Sequence, residues 1–345
     1  MRQIWWRLLC IFLLGFVVIF SFLVPLGPGL IDVDNADLSA GLQERLIIGY
    51  NTHFEAEDNQ LQVFLAQDST FLCTEIVKVD AENRVRVLID VPDSLQNRSF
   101  SVFVNNTIDG TLLLENAFFA SGSKVAENAQ FAGCKVIVTN NENTLFAFPF
   151  QPTIFETIRN LMFHVPMWFT MFVLMFMGFW TSIQYLVKSK PIYDVRAESA
   201  VKVGIVFCIL GLITGSLWAR FTWGAWWVSD PQLNGALITF LIYAGYLILR
   251  RSIEDEKKRG RVAAVYSIFA YLILFILLMV LPRFTESLHP GKGGNPGFNS
   301  YDLDSSLRMV FYPAVIGWIL LGIWFYSIQI RMNRIRYYLF YDEKI

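Results

Sequence analysis

Three histidines occur in the 345 residues, and two stand where they could hold a metal. His164 lies in Phe163-His164-Val165-Pro166-Met167-Trp168, and His289 lies in Leu288-His289-Pro290-Gly291. Neutral imidazole is a favoured axial ligand of haem iron, so two imidazoles from opposite loops could clamp one porphyrin between them. The alternative is a pair of histidines at home at a polar interface. Between them runs Trp218-Ala219-Arg220-Phe221-Thr222-Trp223-Gly224-Ala225-Trp226-Trp227-Val228-Ser229-Asp230-Pro231, with four tryptophans in ten residues. Single tryptophans gather at membrane interfaces as belts, but a belt does not require four in one loop. Flat rings beside Gly224 and Ala225 make a low apolar shelf on which a planar macrocycle could lie. Arg220, Arg283, Lys292 and Arg308 are then available to pair with propionates, as guanidinium pairs with carboxylate. Asp230, followed by Pro231 at the head of an apolar run, is first a helix N-cap and therefore a shaper of the loop.

The elements that must position these groups are membrane spans. The chain is 54% hydrophobic and 17% charged, too oily for an ordinary soluble protein and unsuited to disorder or nucleic-acid binding. A span needs about 20 apolar residues. Six runs qualify, at 8–26, 165–187, 203–218, 233–249, 263–281 and 310–330. Sixteen lysines and arginines flank one set of span ends and five the other. The positive side is cytoplasmic, which puts both termini inside and residues 27–160 outside. Four spans separate His164 from His289, so both face the outside, as does the tryptophan loop. The first run has the length of a retained anchor rather than of a cleaved signal.

Residues 28–155 carry 17 acidic against 7 basic side chains. There the pattern changes to short β-rich runs, such as Gln62-Val63-Phe64-Leu65, Arg86-Val87-Leu88-Ile89, Ser101-Val102-Phe103-Val104 and Lys135-Val136-Ile137-Val138, between Asn, Asp and Gly clusters. Asp109-Gly110 is a hairpin signal, and the spacing fits a sandwich or barrel. The expected fold is a polytopic α-helical membrane protein of six transmembrane helices with an inserted all-β extracytoplasmic domain. Its divisions are a first anchor (1–27), a β domain (28–152) and a five-helix membrane half (153–345). The four cysteines, at 10, 73, 134 and 208, lack metal-like spacing. Cys73 and Cys134 fall in the outside domain, where they either form a disulfide or stay as buried thiols. No activated nucleophile or acid–base pair is visible, so the chain on its own is not expected to be an enzyme. A permease is the competing function, but permeases place ionisable groups within spans, and these spans are almost uncharged inside. A third possibility makes the β domain the working half and the spans its anchor; five additional spans exceed that need.

Trp223-Gly224-Ala225-Trp226-Trp227-Val228-Ser229-Asp230 resembles the tryptophan-rich signature WGxWWxWD of the haem-handling proteins of cytochrome c maturation, with Ser229 in place of the third tryptophan. His164-Val165-Pro166, and Leu288-His289 with Gly291, resemble the two histidine segments of the CcmC branch. Larger CcmF and CcsA-type relatives share the signature with more spans and more histidines. The resemblance covers residues 155–335. It implies a protein of the inner membrane that holds non-covalent haem b at the periplasmic face and hands it to a CcmE-type haem chaperone, with a CcmAB-type ABC transporter and a CcmD-type small membrane protein as partners. It implies axial ligation by His164 and His289 and a platform of Trp223, Trp226, Trp227 and Asp230, beside Trp218. The β domain lies outside the pattern and lacks the His-x-x-x-Tyr motif of the chaperone.

Overall fold

The computed structural model describes residues 4–55, 60–67, 70–91, 98–120, 146–285, 287–289 and 303–341. Backbone contacts divide the chain into two units, Val24–Phe155 and the pair Met1–Leu23 with Glu156–Ile345.

The first unit is a β domain. Its strands are β1 (Gly29–Val33), β2 (Asp37–Leu38), β3 (Gly41–Tyr50), β4 (Gln62–Gln67), β5 (Thr70–Ala81), β6 (Arg84–Val91), β7 (Arg98–Asn106) and β8 (Gly110–Ala120). They form one sheet in the order β1-β3-β6-β5-β4-β7-β8-β2, antiparallel except where β2 runs parallel to β8. β1 also lies against β8, so the sheet curls into a half-barrel. Alternation explains the inside: Val85, Val87, Ile89 and Val91 of β6 join Leu65, Phe100, Val102, Val104 and Phe118 in one apolar core. The β7–β8 hairpin turns as its sequence dictates. Asn106 Oδ1 accepts from the amides of Ile108 and Asp109, and Gly110 takes the left-handed φ of 75° that closes a three-residue loop. The expected run 135–138 and Cys134 lie outside the described residues; Cys73 is disulfide-bonded.

The second unit is helical: α1 (Trp5–Leu23), α2 (Leu161–Lys188), α3 (Pro191–Thr222), α4 (Pro231–Ser252), α5 (Glu256–Phe275), a π turn (Ile276–Val280), α6 (Leu281–Phe284) and α7 (Ser305–Tyr341). Among the described residues six helical segments are long and apolar enough to cross a membrane. The runs at 165–187, 203–218, 233–249 and 310–330 each sit inside a longer helix, because backbone hydrogen bonding continues where hydrocarbon stops, whereas α1 ends at Leu23, before the end of the run 8–26, and the run 263–281 crosses from α5 through the π turn into α6. The excess is large in α3, whose polar first third carries Asp194 and Glu198. Arg250 of α4, almost wholly buried, grips Asp194 through both carboxylate oxygens at 2.6 and 2.8 Å and reaches Glu198 at 3.2 Å. That fork fixes α4 against α3 at the basic end of the bundle.

α2 and α3 pack most extensively, and glycines allow it. A Cβ on Gly204 would come within 2.8 Å of Met175, and one on Gly211 within 2.8 Å of the Trp168 indole. The π turn precedes Pro282, whose missing N–H and bulky ring disrupt the regular ladder. Gly235 of α4 admits the backbone of that turn, since a Cβ there would stand 2.9 Å from the Leu277 carbonyl oxygen.

Candidate functional site

His164 belongs to the first turn of α2 rather than to a loop, and several contacts hold that turn in place. Arg159 donates to the Ser21 carbonyl of α1 at 2.7 Å, and Asn160 donates to the Thr214 carbonyl of α3 at 2.9 Å. Pro166 has no N–H to offer the Met162 carbonyl, and the indole N–H of Trp318 in α7 donates to that oxygen at 3.2 Å. A helix end lacking a regular bond is thus tied to three neighbours.

The imidazole lies on the last third of α3. Nδ1 of His164 is 3.1 Å from the Thr214 hydroxyl. A Cβ on Gly215 would come within 2.6 Å of the ring, so only glycine leaves this seat open without displacing it. Trp168 and Trp218 meet the ring edge-on, with centroids at 6.2 and 5.8 Å. Thr214 and Gly215 carry no sequence signal of a site; the apposition of α2 on α3 gives them their role.

The tryptophan segment is divided by the end of α3. Trp218 and Arg220 are helical, whereas Trp223 to Ser229 form the loop, because α3 continues to Thr222 and the Trp223 amide closes it on the Ala219 carbonyl. Arg220 donates to the Gly224 carbonyl, and Gly224 has the left-handed φ of 77° that the turn requires. Ser216 donates to the Trp226 carbonyl at 2.8 Å, folding the loop back along α3. Trp226 and Trp227 present exposed rings, and the Trp227 N–H donates to Asn234 at 3.2 Å.

Asp230 is the buried joint of the other half. One carboxylate oxygen caps α4, accepting from Gln232 and Leu233 at 2.9 and 3.2 Å; the other accepts from the Leu288 amide at 2.8 Å. The capping role expected from the sequence is present, and the same side chain also secures the segment that carries His289. Burial alone would raise its pKa. Donation from Leu288, Ser287 and Leu233, with His289 nearby, outweighs burial and holds the carboxyl below its usual range.

His289 touches the loop itself, its ring 5.5 Å from Trp223 in an edge-to-face contact. Nδ1 stands 3.4 Å from the Asp230 carboxylate, at ion-pair range but without hydrogen-bond alignment. Burial lowers the pKa of His289, and Asp230 offsets part of that shift. The ring is therefore biased toward the neutral form that binds metals.

Both imidazoles consequently flank one end of α3, His164 beside Thr214 and Trp218, His289 beside Trp223. Nine residues of helix rise about 13 Å. Arg283 is exposed at the end of α6, and Arg308 begins α7 with its Nε buried and unbonded. Neither has a carboxylate within ion-pair distance among the described residues, although Arg308 lies close enough to Asp304 to act on it electrostatically. Lys292 lies outside the described residues.

A family model for heme exporter protein C, CcmC, matches residues 114–343. Heme exporter protein C of Bradyrhizobium diazoefficiens is 32% identical over 181 residues, 52% of this chain and 68% of the relative. The protein of that name from Paracoccus denitrificans is 28% identical over 135 residues, 39% of this chain and 56% of the relative. A cytochrome c biogenesis protein CcsA of Prochlorococcus marinus is 40% identical over 83 residues, 24% of this chain and 26% of the relative.

Proposed function

Because this chain belongs to the family of heme exporter protein C, we propose that it handles haem in cytochrome c biogenesis, binding it non-covalently as haem b at the outer face of the cytoplasmic membrane. His164 and His289 are the axial ligands in this proposal. Trp223, Trp226 and Trp227 supply the apolar platform, Trp218 backs His164, and Asp230 holds the loop. Arg220, Arg283 and Arg308 face the propionates. The observation that carries the proposal is the placement of both imidazoles at one end of α3. His164 meets the indoles of Trp168 and Trp218, His289 meets that of Trp223, and His289 is biased toward neutrality.

In this proposal the chain presents haem rather than transforming it. In the proposed arrangement both termini are cytoplasmic and residues 28–152 are periplasmic. A CcmE-type haem chaperone receives the haem, and a CcmAB-type ABC transporter and a CcmD-type small membrane protein are partners.

The test is the absorption spectrum of the detergent-purified protein. A b-type haem spectrum is expected in the wild type, strongly weakened in His164→Ala and in His289→Ala. Full haem occupancy in both variants rejects the ligand assignment. Uptake of haem into vesicles containing this chain alone would favour the competing permease.

A further inference from the structure

We infer that Thr214 sets the tautomer of His164, keeping the proton on Nδ1 so that Nε2 is the nitrogen presented to iron; the inference deepens the haem-binding proposal and rests on it.

The argument is a count of hydrogens. A threonine hydroxyl has one hydrogen to donate and lone pairs with which to accept. Thr214 Oγ1 lies 2.8 Å from the Leu210 carbonyl oxygen and 3.2 Å from that of Gly211, both in its own helix. Those oxygens only accept, so the hydroxyl hydrogen points at α3. The same Oγ1 is 3.1 Å from Nδ1 of His164. With its hydrogen committed to the backbone it accepts there, and Nδ1 carries the proton. A neutral imidazole has a single N–H, which leaves the lone pair on Nε2. Ligating histidines characteristically donate the proton of their other nitrogen to such a partner, which fixes tautomer and ring orientation together.

The surroundings bound the ring on several sides. Gly215 forms a floor with no room for a Cβ, and Trp168 and Trp218 bound the ring edge-on. Thr214 also anchors the α2 terminus through its carbonyl, which accepts from Asn160. One residue of α3 therefore sets both where His164 starts and which nitrogen it offers. Thr214 is a positioning residue: it acts on the iron only through His164.

The first measurement uses the haem-free full chain labelled with 15N-histidine. Long-range proton–nitrogen correlation separates protonated from unprotonated ring nitrogens. With three histidines in the chain, His53→Gln and His289→Gln assign the His164 signals. The expected result is protonation at Nδ1 in the wild type and in Thr214→Ser, and partial or complete transfer to Nε2 in Thr214→Val. A wild type protonated at Nε2 overturns the inference, as does a Thr214→Val spectrum identical to wild type. If Thr214→Val does not fold, the wild-type tautomer alone decides. In titrations with haem, Thr214→Val is expected to bind about 10- to 100-fold more weakly, with Thr214→Ser restoring affinity; Thr214→Val at full affinity also overturns it. A wild type that binds no haem defeats the proposed function instead, and the haem-free spectrum still reports the tautomer.

Discussion

The two histidine seats reach the same end of α3 by different means. His164 is carried by a transmembrane helix whose first turn is tied to α1, α3 and α7, and its ring is enclosed by a glycine floor, a hydroxyl and two indoles. His289 sits on a short segment after α6, and its described polar ties converge on Asp230 and Ser287. The first seat is built from packing that forms with the bundle itself. The second is held chiefly through one buried carboxylate, that of Asp230.

Substitutions can break this contrast from either side. The largest effect is expected at the rigid seat: Gly215→Val puts carbon where the His164 ring lies, and haem affinity measured by titration should fall by at least about tenfold. Unchanged affinity would mean that the ring is free to move. At the tethered seat, Asp230→Ala removes the α4 cap and the acceptor for Leu288, and should cost about 1–3 kcal/mol of stability in detergent unfolding. Its haem spectrum should approach that of His289→Ala, while Asp230→Asn, which still caps, should lose less.

The smallest effect is expected in pH dependence. Burial lowers the folded pKa of His289 below its unfolded value of about 6.5. The unfolded state then takes up the proton first as pH falls. The stability contributed by the neutral ring is full above about pH 6.5 and declines as pH drops from there toward the lower folded pKa. Asp230 acts further down: its stabilising effect is present above the ordinary carboxylate pKa of about 3.9 and is lost as pH falls through its depressed folded value. Haem release on acidification should accordingly have its midpoint below pH 6.5. A midpoint above that value would contradict the burial of His289.

Much of the architecture was legible from one kind of signal, the cost of placing polar groups in hydrocarbon. That cost defined six apolar runs and an intervening polar segment, and the lysine and arginine count supplied an orientation for them. The same signal underestimated α3, because residues 191–202 are helical yet polar, with Asp194 and Glu198 paired to Arg250 and Glu198 also to Lys202. Asp230 was recognisable as a cap, since capping is local and depends on the proline that follows. Its grip on Leu288 was not, because that bond joins positions 58 residues apart.

The sequence by itself determined which chemical groups are present and, through membrane crossing, which of them can share a side: two imidazoles, a run of indoles and a capping carboxylate. These follow from residue type and from local or one-dimensional energetics. Only the tertiary structure decided that Gly215 is a floor, that the Thr214 hydroxyl meets Nδ1 of His164 and that Trp223 rather than Trp226 meets His289. Helices that pack side by side bring together residues with no relation along the chain, and glycine or threonine in an apolar helix looks the same whether it faces lipid or an imidazole.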